Sequence, residues 1–172
     1  FEESTGVPAA LAWYADKMLA SQAQLTVAPE TAIPLLPAEL PVGYWDALQA
    51  RYKNGSGALM TGIPLGDYKA GYTNSVIAVS KESLTDYSYA KHHLVPFGEF
   101  IPPFFRWFTQ MMNIPLGDFN RGAVGQPSFT FAQQRLAPNI CYEDLFGEEL
   151  GARFLDPSLA PTIFVNVSNL GW

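Results

Sequence analysis

The sequence predicts a layered α/β domain, and three observations carry that prediction. Segments with helical apolar spacing alternate along the chain with short apolar runs of strand type. The 172 residues suffice for one domain with a sizeable core, and no internal repeat or interdomain linker divides them. The balance of 48% hydrophobic and 15% charged residues is that of a folded globular chain.

The elements follow in order. Residues 7–20 carry Leu11, Tyr14, Ala15, Met18 and Leu19 at helical spacing, with Asp16 and Lys17 on the outer face. Leu25, Thr26, Val27 and Ala28 form a run suited to a buried strand, which Pro29 ends. Pro29, Pro34, Pro37 and Pro41 then mark a stiff loop. A second helix is expected over residues 38–52. Strands are expected over 57–63 and 72–80, separated by a turn around Leu65, Gly66 and Asp67. Between Phe97 and Phe108 lie six aromatic residues, Phe97, Phe100, Phe104, Phe105, Trp107 and Phe108, with Glu99 and Arg106 the only charges nearby. Residues 128–131 and 136–140 read as paired strands, 145–154 as a helix, and the run from Thr162 as a strand entering a loop.

The composition excludes several function classes. A net charge of −6 argues against a broad electrostatic grip on nucleic acid. One cysteine, Cys141, excludes an intrachain disulfide framework and a multi-cysteine zinc site. The charge-free stretch 157–172 is interrupted by Pro161, Asn166 and Asn169 and is too polar to span a bilayer. The acidic opening Phe1-Glu2-Glu3 is unlike a signal peptide, and both ends read as cut.

Four residue types could carry chemistry. Cys141 stands where an apolar strand hands over to a helix, so it reads either as a nucleophile favoured by the helix dipole or as a buried structural cysteine. Lys91 precedes a Pro-Phe-Gly loop, where a partly desolvated ammonium would act on developing negative charge; a surface lysine at a strand end is the plainer reading. Glu30 follows Pro29 at a strand's end, as a catalytic carboxylate or as a cap, and Glu99 is either a partner for Lys91 or a solvated carboxylate. His92 and His93 are adjacent. On a strand they would face opposite sides and could not chelate one ion, so they are expected to be structural or outer-shell groups, with no metal.

Glu30 in Ala28-Pro29-Glu30-Thr31-Ala32-Ile33-Pro34, Lys91 in Lys91-His92-His93-Leu94-Val95-Pro96-Phe97-Gly98-Glu99, and Cys141 in Ile140-Cys141-Tyr142-Glu143 occur in that order. Together they resemble the Glu-Lys-Cys triad of the nitrilase, or carbon–nitrogen hydrolase, superfamily. Within it, the first two strings are most similar to the branch of bacterial inner-membrane enzymes that move a fatty acyl chain from a phospholipid to the N-terminal amine of lipoproteins. The resemblance implies an αββα sandwich, here incomplete at both ends. Residues 1–172 would be the central part of a single catalytic domain, with the transmembrane parts absent. It implies Glu30 as general base, Cys141 as the thioester-forming nucleophile and Lys91 as oxyanion stabiliser, with Glu99 and Glu143 in support. The implied partners are a phospholipid acyl donor, an apolipoprotein with an N-terminal diacylglyceryl-cysteine and the membrane, with no cofactor; the implied location is the inner membrane, facing the periplasm. Phe104, Phe105 and Trp107 would touch lipid or else pack as core. Two departures stand out: Ala28 where the family usually has Trp, and Asn169-Leu170-Gly171-Trp172 where it usually has Asn-Asp-Ala-Trp-Phe. A soluble amidase or nitrilase using the same triad, and a catalytically silent module on the same fold, remain the alternatives. The isolated segment is expected to be inactive, since a sandwich lacking edge strands exposes backbone and core.

Overall fold

The computed structural model describes residues 6–83, 85–96, 98–100 and 119–169. The proposed lipid contacts Phe104, Phe105 and Trp107 lie outside these residues. Among the described residues, three α-helices, α1 (Gly6–Ala20), α2 (Tyr44–Lys53) and α3 (Gly147–Ala152), accompany seven strands. Strands β1 (Leu25–Val27), β2 (Ala58–Asp67), β3 (Gly71–Ser80) and β4 (Tyr87–Ala90) form one sheet in that order. Strands β5 (Phe129–Phe131), β6 (Gln134–Ile140) and β7 (Ile163–Val167) form the second. Each sheet is mixed: β1 runs parallel to β2 and β6 parallel to β7, while the other neighbours are antiparallel.

The period of two along β2 and β3 divides their side chains between two cores. Leu59, Ile63, Ile77 and Val79 face α1 and α2, where they meet Leu11, Met18, Leu48 and Tyr52. Ala58, Met60, Val76 and Ala78 face the second sheet and meet Phe129, Phe131, Leu136, Ile140, Val165 and Val167. A helical layer, two sheets and a short third helix thus realise the layering that the sequence predicts. No described helix is long and apolar enough to cross a membrane.

Several boundaries differ from the sequence-based expectation. The helix expected over 38–52 is split: Pro37–Glu39 form one 3-10 turn and α2 begins only at Tyr44. Pro41, which has no N–H to donate, stands in the gap. The β2–β3 turn lies at 68–70, three residues beyond the expected place, because Asp67 Oδ1 accepts the backbone N–H groups of Lys69 and Ala70, each at 2.7 Å. β4, which the sequence reading had not marked as a strand, pairs with β3. The helix expected over 145–154 resolves into a 3-10 turn, Cys141–Leu145, followed by the six-residue α3. The β5–β6 pairing matches expectation and turns through Ala132 and Gln133, both at positive φ (49° and 61°), the geometry of a two-residue hairpin.

Candidate active site

Glu30 sits just past β1 on a loop pinned to β2. Pro29 O accepts the Gly62 N–H at 3.2 Å and Gly62 O accepts the Ile33 N–H at 3.0 Å. The approach is so close that a Cβ on Gly62 would lie 2.5 Å from Pro29 O and 2.6 Å from Glu30 Cα, so only glycine fits there. Thr31 takes a left-handed φ of 55°, which turns the chain immediately after the carboxylate. Glu30 is 3% exposed.

Lys91 leaves the end of β4, its N–H bonded to Asn74 O on β3 at 2.8 Å. Its side chain is 1% exposed, so the surface reading does not hold. A buried ammonium must be paired, and this one has two partners: Glu30 Oε1 at 3.2 Å and Glu99 Oε2 at 2.8 Å. Burial pulls its pKa down, but the bond to Glu99 and the charges of both carboxylates outweigh this and hold it above the ordinary lysine value. The ammonium also lies 5.7 Å from the Tyr142 ring centroid, within cation–π range. Glu99 is therefore the lysine's partner; its Oε2 also accepts the Val95 N–H at 2.8 Å.

Asn74 completes the cluster, and sequence reasoning had passed over it. Its Nδ2 donates to Glu30 Oε1 at 2.7 Å and to Glu99 Oε1 at 2.6 Å. One amide thus supplies a proton to each of two carboxylates and keeps both oriented without adding charge. The available signal was an amide between Thr73 and Ser75 at the polar start of an otherwise apolar-ending strand, since a buried polar group needs partners. Glu30 Oε2, by contrast, is buried and finds no hydrogen-bond partner among the described residues.

Cys141 is half-buried and begins the 3-10 turn directly after β6, at a left-handed φ of 55°. A non-glycine residue held there between strand and turn stores local strain, a feature concentrated at functional sites. Its carbonyl accepts Asn166 Nδ2 at 2.7 Å. Glu143 supports this elbow from below, 5% exposed and with four donors. Oε2 accepts the Ile140 N–H at 2.8 Å and Tyr89 OH at 2.9 Å; Oε1 accepts the N–H groups of His92 at 2.7 Å and His93 at 3.1 Å. One carboxylate thus fixes both the turn that carries Cys141 and the loop that follows Lys91. Tyr142 ties the same two segments by donating to Leu94 O at 2.8 Å. Burial, and then the Glu143 charge, push the Tyr89 phenol far above its usual pKa, so it stays a donor.

Glu30, Lys91, Glu99, Asn74 and Cys141 line one cavity of about 380 Å³, with Thr31, Val95, Gly98 and Phe119. The mostly apolar wall around a buried acid, a buried cation and a thiol suits addition of the thiol to a carbonyl-type carbon with charge stabilised nearby. The expectation for the histidines needs correction. Residues 92 and 93 form a bend and not a strand, so their rings meet edge to face at 4.9 Å and do not diverge.

The carbon-nitrogen hydrolase profile matches residues 5–156. The chain belongs to this family. A carbon-nitrogen hydrolase superfamily protein from Xanthomonas campestris, whose structure carries an arsenic adduct in its active site, superposes with a TM-score of 0.66 over 94% of this chain and 59% of that one; identity is 16%, so the likeness concerns the fold. Among sequence relatives, an apolipoprotein N-acyltransferase of Verminephrobacter eiseniae is 61% identical over 100% of this chain and 32% of its own length. One of Ralstonia nicotianae is 45% identical over 99% of this chain and 32% of its own. The chain therefore spans about a third of these curated relatives' length.

Proposed function

We propose that this chain is the catalytic part of an apolipoprotein N-acyltransferase, working through a Glu30–Lys91–Cys141 triad. The 61% identity to an enzyme of that name over the whole chain supports the reaction class. The observation that carries the site assignment is the Glu30 carboxylate: one oxygen is held by Lys91 and Asn74, and the other is buried without a hydrogen-bond partner among the described residues, at the cavity that Cys141 also lines. That is the condition of a general base ready to accept a proton.

In the first half-reaction Glu30 takes the Cys141 thiol proton and the sulfur adds to a phospholipid ester carbonyl. Lys91 stabilises the oxyanion. The tetrahedral adduct collapses to a thioester as the lysophospholipid alkoxide leaves with the proton from Glu30. In the second, the N-terminal amine of a diacylglyceryl-cysteine lipoprotein adds to the thioester, gives its proton to Glu30 and departs as the amide, returning the proton to sulfur. Glu99 and Asn74 position Lys91 and Glu30, and Glu143 positions the Cys141 turn. The setting is the inner membrane with the site facing the periplasm. Phe104, Phe105 and Trp107 contact lipid, so changing them to Ser weakens liposome binding while folding is kept. Residues 1–172 alone are a central portion of the catalytic domain and do not turn over.

The test is mass spectrometry of the full-length protein incubated with phospholipid. The expected result is an acyl adduct on Cys141 that is absent in Cys141→Ala and cleared by an amine acceptor. An adduct cleared equally fast by water alone points to a hydrolase, and no adduct on a folded protein overturns the triad.

A further inference from the structure

We propose that His92, His93 and Glu149 form a binding site for a zinc-type divalent ion, bridging the loop after Lys91 to α3. One donor atom from each of the three residues lies within 4.8 Å of the others. His92 Nδ1 is 2.7 Å from Gly122 O, so this nitrogen carries the proton and Nε2 keeps its lone pair. A ligating histidine needs that tautomer, and a backbone carbonyl is a usual outer partner that fixes it. The His93 ring lies flat on Phe146, with centroids 3.6 Å apart and planes 3° from parallel, so its edge is held in place. Its Nε2 meets Glu149 Oε1 at 2.7 Å, sharing one proton; a divalent ion would displace that proton and use both atoms.

Two imidazoles and a carboxylate suit zinc and its first-row neighbours better than magnesium or calcium, and three protein ligands leave a position for water. Bonds of about 2.1 Å place the ligands of a tetrahedral ion about 3.4 Å apart. His93 Nε2 and Glu149 Oε1 open from 2.7 Å and the His92 atom approaches from within 4.8 Å, small shifts for side chains such as His93 and Glu149 that are 21% and 39% exposed. The bend that brings adjacent histidines to one ion is itself built in: Glu143 Oε1 accepts both of their N–H groups. The site is independent of the acyl-transfer reading, since none of its three ligands belongs to the triad.

The experiment uses full-length protein carrying Cys141→Ala, which removes the thiolate as a competing ligand. Chelator-stripped protein is titrated with Co²⁺, followed by visible absorption, and with Zn²⁺ against a chromophoric chelator. One ion per chain is expected, with a Co²⁺ spectrum lacking sulfur charge transfer. His92→Ala and the near-isosteric Glu149→Gln should each weaken binding by about tenfold or more. Thermal melts without metal confirm that both variants fold. Absence of stoichiometric binding in the Cys141→Ala protein overturns the proposal, as does binding that survives both substitutions unchanged.

Discussion

The helix-facing core and the site-facing end of the molecule hold themselves together in opposite ways. Between α1, α2 and the first sheet the buried cluster is apolar; Tyr52 OH donates to Met18 O at 2.6 Å and Tyr44 OH to Leu11 O at 3.1 Å, and the charged tie, Arg51 to Leu19 O and Ser21 O, lies at its edge. At the site, by contrast, stand Glu30, Lys91 and Glu143, the buried charged side chains among the described residues. Ion burial is weak support for a fold, because desolvation offsets most of the attraction. The comparison teaches a division of labour. Both faces of the first sheet supply stability by burying apolar area, and the buried charges are confined to the end that carries the cavity.

Glu30→Gln tests this division most severely. The amide keeps the shape but cannot take a proton, so acyl transfer should fall about 10²- to 10⁴-fold, measured as the rate of adduct formation. Its melting temperature should stay close to that of the parent, since one buried charge is gone. A large drop would mean the ion cluster carries the fold after all. Leu48→Ala is the mirror case. Leu48 is 0% exposed in the helix-facing core, and truncation should cost about 2–5 kcal/mol in denaturant melts, while the folded fraction still forms the Cys141 adduct. Tyr44 gives a pH signature of the same half. Burial raises its pKa from 10.0 to about 12. The folded state thus prefers the neutral phenol, so the stability it contributes is full below pH 10.0 and is lost as pH rises towards about 12. Tyr44→Phe should flatten that part of the stability–pH curve, and an unchanged slope would deny the phenol this role. The smallest effect is expected at the Lys53–Asp86 pair, 3.0 Å apart with both side chains about one-third exposed. Asp86→Ala should change stability by less than about 1 kcal/mol.

Much of this was legible in the sequence, for identifiable reasons. Leu11 and Met18 repeat at helical spacing and are buried as that spacing predicts. Glu30, Lys91 and Cys141, far apart in sequence, come to one cavity as the family resemblance implies. Less legible was whatever depends on a hydrogen bond between distant segments. Asn74 reads as one of several polar residues in its strand until Glu30 and Glu99 are brought to it. The paired orientation of His92 and His93 depends on Glu143, about fifty residues later, which bends their backbone. The split of the expected helix at Pro41 was available locally and outweighed by apolar spacing on either side.

The bond from Asn169 Nδ2 to Glu30 O, 3.4 Å long, joins residues 139 apart in the chain. Lys91 reaches Glu30 across 61 residues, and β6 pairs in parallel with β7. Such contacts form only after long loops have closed, which makes folding slow and leaves the site among the last parts to be completed. During synthesis Cys141 therefore exists for some time apart from Glu30 and Lys91. Under the proposed acyl-transfer reading, adduct formation on Cys141 would then report the end of folding, running from when the last strand docks.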